Sequence, residues 1–213
     1  MRRFLSILLV CLALCAACAA GVSAAPAPKA PKKTFEPDAI KQCLLANDTV
    51  GVSGYGHNAV ILVDESGYGR FYSFRLGGLL RFTMQPAELQ QFLKDGLPYA
   101  NSKFQFDRVI GFDVTPEEGR NMYDYVETTE FKEFYRYASF FSSWWPIDGD
   151  NCTTVAYGTL KAGGNAYAFY YPFGMPNSPY YTLQARLWLR SKPFTVYHPD
   201  GPKPEKPEED PNQ

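Results

Sequence analysis

One stretch of the chain predicts a helix that begins at a cysteine: Asp150-Asn-Cys-Thr-Thr-Val-Ala-Tyr-Gly-Thr-Leu-Lys-Ala-Gly-Gly164. Asp150 or Asn151 can cap this helix, because a short side-chain oxygen can accept a hydrogen bond from a free first-turn amide. Apolar residues then recur at helical spacing, and the final Gly-Gly pair ends the helix because glycine readily takes the left-handed conformation. The partial positive charge at a helix N-terminus favours a thiolate, so the pattern indicates a nucleophilic Cys152.

A nucleophilic cysteine needs a base, and the chain contains two histidines, His57 and His198. His57 follows small residues that leave room for a substrate, and it precedes an apolar run that predicts a strand able to hold the ring. His198 follows the last predicted strand and leads into a proline-rich tail. We therefore predict that His57 is the base for Cys152.

The first 24 residues are typical of a secretory signal. Two arginines precede an apolar segment, Phe4–Leu14, which is too short to span a membrane, and Val22-Ser-Ala24 fits a cleavage site. A lipoprotein signal ending at Cys18 is the alternative, in which a lipid on Cys18 would anchor the protein in a membrane. Both interpretations predict export to the periplasm or cell envelope of a bacterium.

Proline-rich segments enclose a single predicted domain. Residues 25–34 form a linker and residues 200–213 a tail rich in Pro, Glu and Lys; neither can bury a core, so both are predicted to be disordered. Residues 35–199 are enough for one domain. The formal net charge of −1, which becomes −3 when two arginines leave with the signal, argues against a nucleic-acid partner.

Export changes how the number of cysteines is interpreted. Of five cysteines, the three in the predicted signal would be removed, which leaves Cys43 and Cys152. Two cysteines in an oxidising compartment favour a structural disulfide, so a Cys43–Cys152 bridge is the alternative to catalysis. The helix-start position of Cys152 and the upstream His57 lead us to predict free thiols instead.

The remaining patterns predict a mixed order of helices and strands. Helices are predicted at residues 37–46, 85–95, 115–127 and 179–189. Strands are predicted at residues 54–63, 70–74, 106–114, 134–142 and 194–197. The helix at Thr115 has the clearest start, with a capping threonine, proline at its first position and acids in its first turn. The helix at 37–46 would place Cys43 at the periphery.

In this order the parts resemble the circularly permuted papain-like fold of NlpC-type peptidases and lecithin retinol acyltransferase-like proteins. The matching residues are Gly56-His57 with the strand to Val63, Tyr72-Ser73-Phe74, Thr115-Pro-Glu-Glu118, and Asn151-Cys152-Thr153 through Gly164. The resemblance covers residues 54–190. It implies an α+β fold in which an antiparallel sheet carrying His57 packs against the helix that begins at Cys152. It also implies a Cys-His mechanism that cleaves or transfers an amide or ester acyl group without a cofactor.

The family also implies a third polar residue that orients the histidine. The hairpin after His57 contains no second histidine, and Ser73 on the returning strand is the orienting residue we predict. A backbone carbonyl could fix the tautomer instead. Trp144, Trp145 and Tyr72 are predicted to contact the substrate, although packing is the alternative for such aromatic side chains.

The sequence therefore predicts an exported cysteine hydrolase, with peptidoglycan stem peptides as the expected substrate because they share its compartment. His57 would take the thiol proton, the sulfur would attack the acyl carbonyl, and the Cys152 amide would help to stabilise the oxyanion. The alternative is a non-catalytic envelope protein that uses the same fold for binding, with Cys152 buried or bridged to Cys43. The two distant histidines form no metal-ligand cluster, so neither a metal nor a cofactor is expected.

Overall fold

A computed structural model describes residues 34–49, 56–75, 77–97, 105–132, 150–165 and 178–200. The described residues belong to one compact unit, which begins at Thr34. Several predictions lie outside the described residues: the signal, the linker up to residue 33, the strand at 134–142 and the tail from residue 201.

A six-stranded antiparallel sheet forms the centre of the described fold, with strand order β4-β3-β2-β1-β5-β6. The strands are β1 (Ile40–Asp48), β2 (His57–Asp64), β3 (Gly69–Arg75), β4 (Gly78–Met84), β5 (Arg108–Asp113) and β6 (Phe194–Tyr197). Within the described ranges the α-helices are α1 (Pro86–Asp95), α2 (Pro116–Thr128), α3 (Cys152–Ala162) and α4 (Ser178–Leu189). The predicted α+β class is confirmed, and so is an antiparallel sheet that carries His57.

The central strand β1 corrects the sequence prediction. The helix predicted at 37–46 is wrong: a 3-10 turn, Pro37–Ala39, leads into β1, which pairs with β2 on one side and β5 on the other. Residues 43–46 are buried on both faces of the sheet, and periodicity alone cannot distinguish such a continuous apolar run from a buried helix. Cys43, expected on a peripheral helix, therefore lies in the middle of the sheet.

The other elements fall close to their predicted positions. The helices predicted at 85–95, 115–127 and 179–189 correspond to α1, α2 and α4, and the strands predicted at 54–63, 70–74, 106–114 and 194–197 correspond to β2, β3, β5 and β6. The sequence patterns do not predict the edge strand β4, whose residues pair with β3 along its whole length. The hairpin of β2 and β3 is therefore extended into a three-stranded meander.

Two apolar clusters cover the two faces of the sheet, because successive side chains of a strand point to opposite sides. On the face that we call the α1 face, strand residues pack with α1 and with Phe106; the cluster includes Leu44, Ala59, Ile61, Phe71, Leu89, Phe92 and Phe106. On the opposite side, the α3 face, strand residues pack with α2, α3 and α4; this cluster includes Leu45, Val60, Leu62, Tyr72, Met122, Val155, Ala156, Leu160 and Leu187.

Local capping chemistry explains where the helices begin and end. The Thr115 hydroxyl accepts from the Glu118 amide (3.2 Å), and the Glu118 carboxylate accepts from the Thr115 amide (2.9 Å), which is the predicted capping box of α2. Helix α1 ends at Gly96, whose φ of 74° is left-handed. A side chain at Gly96 would also collide with the Phe106 carbonyl, so glycine is required there by both conformation and space.

Candidate functional site

Helix α3 begins at Cys152, and Asn151 caps it. The Asn151 side-chain oxygen accepts from the amides of Thr153 and Thr154, each at 2.9 Å. Asp150, the other candidate cap, instead accepts from the Thr154 hydroxyl (3.1 Å) and from the Lys132 amide (2.9 Å). Cys152 is thus the first residue of a well-capped helix, yet it is only 2% exposed.

His57 is the first residue of β2, and its side chain is fully buried. Its Nε2 shares a hydrogen bond of 2.6 Å with the Ser73 hydroxyl on β3. The ring also lies near the Phe106 ring, with 6.1 Å between centroids. Burial, helped by the positive charge of Arg75, lowers the pKa of His57 to about 4, so the imidazole is neutral at neutral pH. The contact with Ser73 is one that an orienting residue would make; its catalytic role stays a prediction.

Strand alternation assigns His57 to the α1 face of the sheet. Two residues further along β2, Ala59 belongs to the α1-face cluster, and so does Phe106, which packs near the imidazole. Ser73 lies two residues after Phe71, another member of the same cluster. His57 and Ser73 therefore meet on the α1 face.

Helix α3 packs on the opposite face. Val155 and Ala156, in its first turns, belong to the cluster that contains Val60 and Tyr72. The His57 side chain and helix α3 consequently lie on opposite faces of the sheet. That His57 and Cys152 lie within hydrogen-bond reach stays a prediction.

Asn58, not His57, is the residue at the start of β2 whose side chain lies on the α3 face. It belongs to a polar cluster that the sequence analysis missed. Asn47 Nδ2 donates to Asn58 Oδ1 (3.1 Å), and Arg108 Nη2 donates to Asn47 Oδ1 (2.7 Å). The Arg108 guanidinium in turn lies over the Tyr180 ring of α4, 4.7 Å from its centroid. The available signal was an asparagine near one end of the apolar run in each of the two paired strands.

This polar cluster ties β1, β2, β5 and α4 together at one end of the sheet. Asn47 and Asn58 are buried, and Asn47 also donates to the His57 carbonyl (3.2 Å). A slip of one residue between β1 and β2 would separate the two asparagines and leave both buried without each other. The cluster therefore helps to fix the register that places His57 on the α1 face.

Tyr72, predicted to contact substrate, is instead part of an internal contact between the sheet and α2. Its hydroxyl donates to Glu127 (2.9 Å), which also accepts from Arg70 (3.0 Å) and Arg81 (2.7 Å). Burial, together with the Glu127 charge, raises the pKa of Tyr72 above its ordinary value. Only 1% of Tyr72 is exposed, and its contact with substrate stays a prediction. Trp144 and Trp145 lie outside the described residues.

Cys43 and Cys152 are not joined in a disulfide, as predicted, so the alternative Cys43–Cys152 bridge is not formed. Burial in the centre of the sheet raises the pKa of Cys43 above its ordinary value. In the part of the chain that the structure describes, no three His, Cys, Asp or Glu side chains group as they would around a metal ion. In the same ranges, none of the helices is long and apolar enough to cross a membrane.

Comparison with known proteins adds no family assignment. No protein-family model, curated protein or solved structure matches the chain. The likeness to the permuted papain-like fold therefore depends on the short motifs quoted above, and the function has to be argued from the positions of individual side chains.

Proposed function

We propose that this protein is an exported, non-catalytic protein of the bacterial cell envelope that uses its α+β domain for binding. One observation carries the proposal: His57 lies on the α1 face of the sheet, whereas the helix that begins at Cys152 packs on the α3 face. A cysteine nucleophile needs a base within hydrogen-bond reach of its sulfur. Side chains on opposite faces of a sheet point away from each other.

The surroundings of the two side chains support the same proposal. A nucleophile has to meet its substrate, but Cys152 is only 2% exposed and His57 is fully buried. His57 lies next to Phe106, within an aromatic cluster where a charged imidazole would be poorly solvated. Both residues are placed as core residues would be.

The proposal of export and binding comes from the sequence. The signal-like residues 1–24 support export, and the proposed ligand is a peptide or peptidoglycan-like molecule because it would share that compartment. Neither metal nor cofactor chemistry is part of the proposal.

Thiol reactivity tests this proposal directly. The folded, non-reduced protein would be treated with iodoacetamide before and after unfolding, and the alkylated cysteines identified by mass spectrometry. We expect slow alkylation of Cys152 and Cys43 in the folded protein and rapid alkylation of both after unfolding. Rapid, pH-dependent alkylation of Cys152 alone in the folded protein, together with hydrolysis of a stem peptide, would overturn the proposal.

A cysteine hydrolase of the permuted papain-like kind is the second candidate. Two observations favour it: Cys152 is outside any disulfide and begins a capped helix, and Ser73 makes the 2.6 Å contact with His57 that an orienting residue would make. This candidate requires the imidazole to reach the Cys152 sulfur. Stem-peptide hydrolysis that is lost in Cys152→Ser and in His57→Gln, but kept in the matched variants Cys43→Ser and His198→Gln, would support it.

A further inference from the structure

The two edge strands of the sheet differ in how well they are protected against pairing with another strand. Strand β6, at one edge, has four residues and lies between Pro193 and Pro199. Strand β4, at the other edge, has seven residues, contains neither proline nor lysine, and pairs with β3 without a bulge. Proteins block a sheet edge with short strands, prolines, lysines and bulges. β6 is both short and bounded by proline, whereas β4 has none of these features.

The outer edge of β4 consists of backbone N–H and C=O groups. Within the described ranges β4 pairs with β3, and no strand pairs with its other edge. Successive residues of a strand direct these groups to opposite edges, so alternate residues of β4 direct theirs away from β3. An extended polypeptide segment is the ligand whose own N–H and C=O groups match such a row.

The side chains of β4 define what such a segment should contain. Leu80 and Phe82 are half-buried against the α1-face cluster, and the Phe82 ring stacks on Phe71 with 4.7 Å between centroids. Arg81, between them, lies on the α3 face, because it pairs with Tyr72. A segment beside β4 therefore places apolar side chains next to Leu80 and Phe82, and a side chain of another kind next to Arg81.

The contacts of Arg81 show an excess of positive charge at this position. Arg81 Nη1 donates to Glu127 Oε2 (2.7 Å), and Arg70 Nη2 donates to Glu127 Oε1 (3.0 Å). Two arginines thus share one carboxylate. The Arg81 side chain is 49% exposed, and its guanidinium has further N–H donors with which to bind a second carboxylate. We therefore expect an acidic residue opposite Arg81.

A second copy of the chain fits this edge less well than a different segment. In a symmetric antiparallel pairing of two β4 strands that uses most of their length, the two Arg81 side chains lie opposite or diagonal to each other. Like charges on neighbouring positions of paired strands are destabilising. An acidic side chain of another polypeptide gives an attractive pair at the same position.

We propose that the outer edge of β4 binds an extended polypeptide segment with an apolar–acidic–apolar pattern, which joins the sheet as an additional strand. Backbone hydrogen bonds provide the affinity, and Leu80, Arg81 and Phe82 provide the selectivity. The inference rests on the proposed binding function, because it narrows the peptide ligand of that function to an extended segment and assigns a site to it.

Fluorescence anisotropy with a synthetic peptide tests this inference. The probe is the labelled, end-blocked peptide Val-Thr-Val-Glu-Val-Thr-Val, which has the seven-residue length of β4 and reads the same in both directions. The protein would be the chain from Ala25 to Gln213, which the predicted cleavage leaves. We expect saturable binding of the peptide.

N-methylated peptides test whether the backbone makes the contact. One form is methylated on its valine amides and the other on its threonine and glutamate amides, so that each form loses the donors of one edge and keeps every side chain. We expect one form to bind at least about tenfold more weakly than the unmethylated peptide, and the other to keep its affinity.

A double-mutant cycle tests the contact with Arg81. Arg81→Gln and replacement of the peptide's glutamate by glutamine should each weaken binding about twofold to fivefold, and the two together should add little to either alone. The matched control is Arg120→Gln, which removes an arginine of α2 that is also paired with carboxylates and should leave binding unchanged. Circular dichroism would check that both variants are folded.

Hydrogen exchange locates the binding site. In the free protein, the β4 amides directed toward β3 should exchange slowly and the outward-facing ones rapidly; the peptide should slow the outward-facing ones. Slow exchange of every β4 amide in the free protein would show that the chain itself or a second copy already covers this edge, and would overturn the inference.

Two other results would overturn the inference: absence of binding by the unmethylated peptide, and equal binding of the two N-methylated forms. Neither result would affect the proposed non-catalytic function, because slow alkylation of Cys152 in the folded protein and absence of stem-peptide hydrolysis are measured independently of the peptide. The failure of the β4 site and the failure of the proposed function are therefore distinguishable.

Discussion

The polar side chains on the two faces of the sheet have different surroundings. On the α1 face, His57 and Ser73 form a buried pair among aromatic rings such as Phe106. On the α3 face, Asn47 and Asn58 are linked to the Arg108 guanidinium and through it to the Tyr180 ring, and the helix that begins at Cys152 packs on the same face. The sequence motifs connect His57 with Cys152, whereas His57 lies on the α1 face and the helix that begins at Cys152 packs on the α3 face. Motif order along the chain does not by itself determine on which face of a sheet a side chain lies.

The largest expected effect comes from the aromatic cluster on the α1 face. Phe106 lies 6.1 Å from the Phe71 ring, 5.8 Å from the Phe92 ring and 6.1 Å from His57, measured between centroids. Phe106→Ala should lower the free energy of unfolding by about 3–5 kcal/mol, because it leaves a cavity in a buried cluster. Urea denaturation measures this change.

The same variant tests whether that cluster controls His57. Water entering the cavity would reduce desolvation, so the pKa of His57 in Phe106→Ala should move up toward its ordinary value, as measured by NMR titration. Leu189→Ala is the control, because the exposed Leu189 side chain should change stability by less than about 0.5 kcal/mol. An unchanged His57 pKa in a folded Phe106→Ala protein would show that the ring does not shield the imidazole.

The second prediction uses pH to distinguish the two faces. The pKa of His57 falls from 6.5 to about 4 in the folded protein, so between these pH values the unfolded chain binds a proton that the folded protein does not. The contribution of His57 to the free energy of unfolding is therefore fully present above a pH of about 6.5. It is lost as the pH falls toward 4, by a total of about 3 kcal/mol. Denaturation of the wild type at a series of pH values measures it.

The carboxylates also titrate in this range, so the informative quantity is the difference between variants. His57→Gln should show a flatter pH dependence than the wild type between pH 4 and pH 6.5. His198→Gln, which replaces an exposed histidine, is the matched control. Equal slopes for wild type and His57→Gln would contradict the assignment of His57 as a neutral core residue.

How much the sequence predicts depends on whether a signal is local. The Asn151 cap and the Thr115 capping box involve residues at most three positions apart, and the structure confirms both. The face on which His57 lies depends on register with a distant strand: His57 pairs with Asp48 and Asn58 with Asn47. Residues 59–63 are apolar on both faces of a covered sheet, so no polar–apolar alternation indicates which side His57 takes. The same ambiguity explains why a helix was predicted where β1 lies.

The third prediction concerns the polar cluster on the α3 face. Asn47→Ala removes a buried side chain that accepts from Arg108 and donates to Asn58, and it leaves both partners without that contact. We expect a loss of about 2 kcal/mol in the free energy of unfolding, since a buried polar group without a partner costs about 1–3 kcal/mol. The matched variant Asn47→Asp keeps the acceptor for Arg108 but loses the donor to Asn58, so it should be less destabilised than Asn47→Ala at neutral pH.

The smallest expected effect distinguishes the two cysteines. Cys43 lies in the middle of the sheet, so Cys43→Ser puts a hydroxyl into an apolar core and should cost about 1–3 kcal/mol. Cys152 is the first residue of α3, where serine is well tolerated, so Cys152→Ser should change stability by less than about 1 kcal/mol. Thermal denaturation compares the two variants.

On the non-catalytic proposal, Cys152→Ser has no activity to lose and should retain ligand binding. A wild type that hydrolyses stem peptides, with a stable Cys152→Ser variant that does not, would instead show that Cys152 is a nucleophile.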